Sequence, residues 1–177
     1  MTNKRPQASV IGAAGEHLVL SHLLRLGFIA GKTPDFTKNY DLVVINKDGN
    51  GSAPIQVKTT TYTGWLMQKK HEHPIDNLIY CFVRMSLDSI KSDIFVMDSK
   101  TVSNFVKTGH KIWLKMPARS GKPHKDTDMR TLDSAFNHFK WVEKPEEYLN
   151  SNELKFVEDH SKGWMEKYRE AWHLIQT

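Results

Sequence analysis

The stretch YDLVVINKDGNGSAPIQVKTTT, residues 40–61, restricts this chain more than any other part of its sequence. Two runs rich in β-branched and aromatic residues flank KDGNGS, which contains both Asp-Gly and Asn-Gly, the strongest short signals for a β-hairpin. A turn centred between Gly49 and Asn50 pairs residues whose numbers sum to about 99. That register sets Asp41 across from Lys58, and directly opposed residues share a face. Gln56 lies on the same face because side chains alternate with period two. A bulge would slip the register by one residue. Three polar groups therefore gather on a strand pair whose remaining residues read as interior. An unpaired buried ammonium costs several kcal/mol, so Lys58 requires a partner.

The first helix supplies a fourth polar residue. Ser9 is placed as the N-cap of a helix running to about Leu26, where Gly27 can take the left-handed C-terminal position. Glu16 shares i, i+4, i+7 spacing with Leu20 and Leu23 and so falls on the stripe expected to face the sheet. A carboxylate there is costly without a counter-charge. If the helix lies over the hairpin, Glu16, Asp41 and Gln56 converge beside Lys58 on a position suited to a divalent cation. Magnesium takes hard oxygen ligands, commonly one or two carboxylates with water or substrate phosphate completing the shell. Lys58 can then offset charge on a phosphate or hold an attacking water. The same residues also allow a plain cross-strand ion pair between Asp41 and Lys58, with Glu16 turned to solvent.

Farther along, residues 28–30 read as a short strand and 31–39 as a loop. NLIYCFVRM (77–85) and DIFVM (93–97) are strands. Ser99 is expected to cap a short helix with Val102, Phe105 and Val106 on one side, ending near Gly109. KIWLKM (111–116) reads as another strand, and 117–130 as a basic loop. A short helix follows Pro145. A longer one near 161–175 carries Trp164, Tyr168, Ala171, Trp172 and Ile175 as one apolar stripe, a core face or a dimer face. The order of elements gives an α/β mixed sheet flanked by helices, with a helical C-terminal extension. With 177 residues, one domain is expected over 1–177: a core of about 8–116, the basic loop 117–130 and the helical tail 131–177.

No apolar run approaches the roughly 18–20 residues of a membrane helix, and MTNKRPQAS leads into no signal-type block. The expected setting is cytoplasmic, without a membrane partner. The one cysteine, Cys81, excludes an internal disulfide and a four-cysteine zinc site; it reads as core, with no histidine partner for a cysteine hydrolase. The net charge of +5 permits a polyanionic partner, and its distribution is uneven. Seven Lys/Arg face two acids between Lys107 and Arg130, whereas seven acids face three lysines between Asp133 and Asp159. A basic segment of this kind reads as a phosphate-tracking surface or as solvated surface. The candidate nucleic-acid contacts are Lys69, Lys70, Lys111, Lys115, Arg119, Lys122, Lys125 and Arg130.

GEHLVLSHLLRLGF followed by NYDLVVINKDGNGSAPIQVKTT resembles the core of the PD-(D/E)XK nuclease superfamily, most closely the branch of Holliday-junction resolvases and Mrr-type restriction endonucleases. The resemblance covers about residues 8–100. It implies a restriction-endonuclease-like fold, Mg²⁺ or Mn²⁺ as cofactor, and hydrolysis of DNA phosphodiester bonds. It further implies Glu16, Asp41 and Gln56 as metal ligands, with Lys58 completing the catalytic set. Gln56 replaces the usual carboxylate of the (D/E)xK element, as in Mrr-type members. Pro34-Asp35 supplies the letters of the family's Pro-Asp pair, but Asp41 heads the strand and faces Lys58, so Asp41 is assigned. The resemblance leaves RNA open as a substrate and carries homodimerisation as an expectation. The alternative is a catalytically inactive nuclease-like fold that binds nucleic acid or protein.

The remaining signals are weaker. His71 and His73 form a His-x-His pair with no third ligand nearby. Tyr62 and Trp65 suit base stacking or packing. Gly12-x-x-Gly15 lies within a helix and is no dinucleotide fingerprint. HKDTDMR (124–130) reads as a loop within reach of a substrate.

Overall fold

The computed structural model describes residues 5–34, 36–45, 49, 51–136 and 140–175. Its elements in chain order are α1 (Ala8–Arg25), β1 (Ile29–Lys32), β2 (Leu42–Ile45), β3 (Ser52–Thr60), β4 (Gly64–Gln68), β5 (Ile79–Met85), β6 (Ser92–Asp98), α2 (Ser99–Lys115), β7 (Met129–Asp133) and α3 (Ser151–Asp159), with short 3₁₀ turns at Lys69–Glu72, Pro145–Glu147, Trp164–Tyr168 and Trp172–Leu174. The contacts divide into two compact units. The first comprises Met1–Tyr62, Ile75–Ser99 and Tyr168–Thr177, and the second Thr63–Pro74 and Lys100–Lys167.

The first unit holds a five-stranded mixed sheet in the order β1-β2-β3-β5-β6. β3 and β5 run parallel, and the other neighbours are antiparallel. Along β2 and β3 the alternation is complete: Leu42, Val44, Ala53, Ile55 and Val57 are buried, while the residues between them are partly or fully exposed. α1 covers the buried face. A Cβ on Gly15 would lie 1.9 Å from the Thr59 hydroxyl oxygen, so glycine is what admits the helix this close to β3. Because the closest approach is at Gly15, the buried stripe runs through Ile11, Gly15, Val19 and Leu23. Glu16 accordingly sits on the shoulder of that stripe, a correction to its expected place in the middle. The helix begins at Ala8 after Gln7, so Ser9 lies inside the first turn and is not its cap.

Two further expectations change. α2 continues to Lys115, and no strand forms at 111–116. Val102, Phe105, Val106, Ile112 and Met116 are all buried at helical spacing, and burying one continuous stripe outweighs the β-like look of KIWLKM. Gly109 does not end the helix; a Cβ there would stand 3.1 Å from the Phe136 ring, so the glycine makes room for it. The expected helix at 161–175 is two separate 3₁₀ turns. Trp164 packs in the second unit, stacked on Phe105 with centroids 4.8 Å apart. Ala171, Trp172 and Ile175 join the core of the first, where the Glu170 amide bonds the Ile94 carbonyl. The two tryptophans are thus core residues, each of its own unit.

In the second unit, β4 and β7 form a two-stranded antiparallel ribbon. Its inner face carries Trp65, Met67, Arg130 and Leu132, all buried. Trp65 is therefore a packing residue. Phe105, Phe136, Phe156, His160 and Trp164 make an aromatic cluster in the same unit. No helix among the described residues is long and apolar enough to cross a membrane.

Candidate active site

β2 and β3 pair as the hairpin signal requires, although Lys47, Asp48 and Asn50 of the turn lie outside the described residues. The register is Leu42 with Ile55 and Val44 with Ala53, so paired numbers sum to 97 in place of 99. Asp41 therefore lies level with Gln56, and the expected opposition to Lys58 is corrected by two residues. A two-residue shift preserves the face, since the side-chain period is two, so all three polar groups remain together. Asp41 continues the ladder through its amide, which bonds the Ile55 carbonyl at 2.8 Å. Its Oδ2 accepts the Gln56 side-chain amide at 2.5 Å and the Val57 backbone N–H at 2.8 Å.

The β1–β2 connection holds Asp41 from the other side. The Thr33 amide bonds the Asp41 carbonyl at 2.9 Å, and the Thr33 hydroxyl bonds the Tyr40 carbonyl at 3.1 Å. α1 lies on the Ile55–Val57–Thr59 face, opposite the face of Gln56 and Lys58. Glu16 nevertheless reaches round the margin of the sheet, and one small pocket is lined by Glu16, Lys32, Thr33, Tyr40 and Asp41. Glu16 pairs there with Lys32 at 2.8 Å; their side chains are 23% and 34% exposed. Nothing in the sequence pattern marked Lys32, since strand β1 was legible only as a short apolar run. Its register opposite Leu42 is what turns it toward α1.

Burial raises the Asp41 carboxyl above its ordinary range, and the charge of Glu16 adds to the rise. The Val57 N–H, the Lys58 ammonium and the Gln56 amide oppose it without cancelling it. Two carboxylates are thus held in a partly desolvated corner with insufficient positive charge around Asp41, the condition that a bound cation relieves. The donor chemistry suits a hard divalent ion. The Gln56 nitrogen is committed to Asp41, which leaves its carbonyl oxygen as the ligating end, and the bonds from Gln56 and Val57 both fall on Oδ2 of Asp41. Among the described residues no three His, Cys, Asp or Glu side chains stand together. A cation would rest here on two carboxylates and one amide. Tyr80, beside Gln56 in the parallel register, is pushed by burial to about 12 and stays protonated.

The basic candidates separate into two kinds. Lys69, Lys70, Lys111, Lys115, Arg119, Lys122 and Lys125 are at the surface. Lys115 pairs with Glu153 at 2.5 Å and Lys69 with Asp126 at 3.8 Å. Arg130 points inward. Its side chain is 2% exposed and engages Glu72, Asp126 and the carbonyls of Thr127 and Met129. The surface role expected for it is therefore corrected to a structural one. His71 is buried, with its Nδ1 accepting the Gln68 amide, whereas His73 is exposed, so they form no common ligand pair. Tyr62 is exposed beneath the Arg5 guanidinium. Cys81 is fully buried, and desolvation drives its thiol far above the ordinary range, consistent with a core role. Asp35 lies outside the described residues.

The five-stranded mixed sheet with α1 over β3 is that of a restriction-endonuclease-like fold. No family model matches the chain, and no curated protein matches it. Among solved structures it is similar to the bacterial homing endonuclease I-Ssp6803I, with a TM-score of 0.51 and 15% identity over 97% of this chain and 92% of that one. A Holliday junction resolvase from the archaeon Archaeoglobus fulgidus aligns with a TM-score of 0.42 and 13% identity over 69% of this chain and 83% of that one.

Proposed function

We propose that this chain is a divalent-metal-dependent nuclease that hydrolyses DNA phosphodiester bonds. The observation that carries the reading is the raised Asp41 carboxyl, held by Gln56 beside a second acid and a lysine at the margin of a nuclease-type sheet. Glu16, Asp41 and the Gln56 carbonyl would hold Mg²⁺ or Mn²⁺. When bound, such an ion polarises a phosphoryl oxygen and lowers the pKa of a coordinated water. Asp41 is kept in place for this by its bonds from Val57 and Gln56, and Glu16 by α1 and Lys32. Lys58 would set its ammonium against the charge that builds on the phosphate. The exposed lysines and arginine between Lys107 and Lys125 would follow the backbone of the nucleic acid.

One observation favours the second reading, a nuclease-like fold retained for binding. Both acids already have protein partners, Glu16 in Lys32 and Asp41 in Gln56. Incubating the protein with supercoiled, branched and single-stranded DNA in Mg²⁺, Mn²⁺ or chelator separates the two. Metal-dependent cutting that disappears in Asp41→Ala and Lys58→Ala supports the nuclease. DNA binding without cutting, undisturbed by either substitution, supports the binding module.

A further inference from the structure

We infer that the outward face of the β4–β7 ribbon is a base-reading surface that enters the major groove of duplex DNA; this rests on the nucleic-acid reading above. The ribbon is two-sided. Trp65, Met67, Arg130 and Leu132 close its inner face. The outer face carries Leu66 across from Thr131 and Gln68 across from Met129. Leu66 is 65% exposed and Met129 60% exposed, although both sit in regular strands with a buried core directly beneath them. Exposed apolar residues grouped on one regular face mark a contact surface more often than a scattered pair does.

The chemistry of that face favours nucleic acid over an apolar protein partner. The four exposed side chains comprise two apolar groups, one amide and one hydroxyl; Asp133, on the same face across from Gly64, is buried. These are the types that read base edges: an amide matches the paired donor and acceptor of adenine, a hydroxyl serves either, and apolar groups pack on the thymine methyl. A two-stranded ribbon is also one of the two elements that fit the major groove. Charge lies beside the face. Lys69 and Lys70 follow directly from β4, and the Lys69 amide extends the pairing to the Asp128 carbonyl. The unit that bears the ribbon has fifteen Lys/Arg against eleven Asp/Glu, whereas the other has ten against nine. Most of the excess positive charge of the chain therefore lies in the unit that bears the ribbon, in keeping with a polyanionic partner.

The test separates reading from cutting by working in chelator. Full-length protein is used to select binders from a randomised duplex library, and variant selections follow. Wild type should enrich a short motif containing an A·T pair. Gln68→Ala with Thr131→Val should lose discrimination at one or two positions by roughly five- to hundredfold, while salt-dependent binding to bulk duplex stays unchanged and circular dichroism shows the fold kept. Gln68→Glu should move the preference at one position from adenine toward cytosine, because a carboxylate accepts from the cytosine amino group. Leu66→Ala with Met129→Ala should weaken selection of thymine. Unchanged motifs in these variants, or wild-type binding without any preference, overturn the inference while leaving the nuclease reading intact. A change in oligomeric state on Leu66→Ala would overturn it in favour of self-association. Absence of all DNA binding would overturn both readings.

Discussion

Asp41 and Asp93 are two half-buried aspartates of the same sheet, and their environments push them in opposite directions. Burial by itself would raise both. At Asp93 it is outweighed: Arg169 and Arg84 donate hydrogen bonds to the carboxylate and add their charges, and the pKa falls below the ordinary value of 3.8. Arg84 reaches Asp93 through Nε at 2.9 Å and Nη2 at 2.6 Å, and both guanidiniums also lie over the Phe95 ring. Asp41 receives hydrogen bonds only from an amide and a backbone N–H, neither carrying a full charge; the Lys58 ammonium acts on it without a hydrogen bond among those described, and Glu16 opposes. The first carboxylate is fully compensated by the protein. The second is compensated only in part. Burial alone does not separate a structural acid from a functional one; the charge of its partners does.

The comparison is broken most sharply by substitution. Under the nuclease reading, Asp41→Ala or Lys58→Ala should reduce metal-dependent cleavage by at least about a hundredfold, with the fold kept, as read from cleavage assays beside circular dichroism. Asp93→Ala should do the reverse. Cleavage should persist, and stability should fall by about 1–2 kcal/mol as Arg84 and Arg169 lose their acceptor, measured by urea denaturation. If Asp93→Ala also abolished cleavage, the two carboxylates would not differ in the way proposed.

The dependence of stability on pH sharpens the contrast, because the signs are opposite. The folded Asp41 pKa lies above 3.8, so its contribution is complete at acid pH and is lost as pH rises through the raised value. The folded Asp93 pKa lies below 3.8, so its contribution is present above that value and is lost as pH falls through the lowered one. Without metal, Asp41→Asn should therefore gain relative to wild type as pH rises above the ordinary carboxylate range, and Asp93→Asn should flatten the acid limb. Thermal melting from pH 3 to 8, roughly spanning both windows, checks this. Adding Mn²⁺ near neutral pH should raise the melting temperature of wild type and leave Asp41→Asn or Glu16→Gln unmoved. The smallest effect expected is at Lys32. Removing its ammonium from Glu16 in Lys32→Met should tighten Mn²⁺ binding about two- to fivefold by calorimetry, in keeping with a half-exposed ion pair.

Much of the first unit was legible because its signals are local. The Asp-Gly and Asn-Gly pairs announce the hairpin, and alternation along 42–45 and 52–60 separates Asp41, Gln56 and Lys58 from the apolar face without any tertiary information. The two-residue error in register did no harm for the same reason, since parity and not pairing decides the face. The strand at 111–116 and the helix at 161–175 were misread because short apolar runs carry no decisive period. Ile112 joins the buried stripe of α2 because the helix continues past Gly109, where the glycine leaves room for Phe136. The stripe around Trp164 and Trp172 dissolves because each tryptophan answers to a different core. Lys32 and the inward turn of Arg130 could not be seen, as Lys32 depends on Glu16 of another element and Arg130 on Glu72 as well as on its own neighbours.

What the sequence by itself determined is the hairpin, the α1 helix and the identity of the polar residues that share one sheet face, because turn chemistry and side-chain alternation act over a few residues. What only the tertiary structure decided is how those residues are charged toward one another: Glu16 brought round the sheet margin to Asp41, Lys32 set against Glu16, and Arg84 and Arg169 gathered on Asp93. Electrostatic compensation is a sum over neighbours in space, and residues dozens of positions apart become neighbours only when the core has packed.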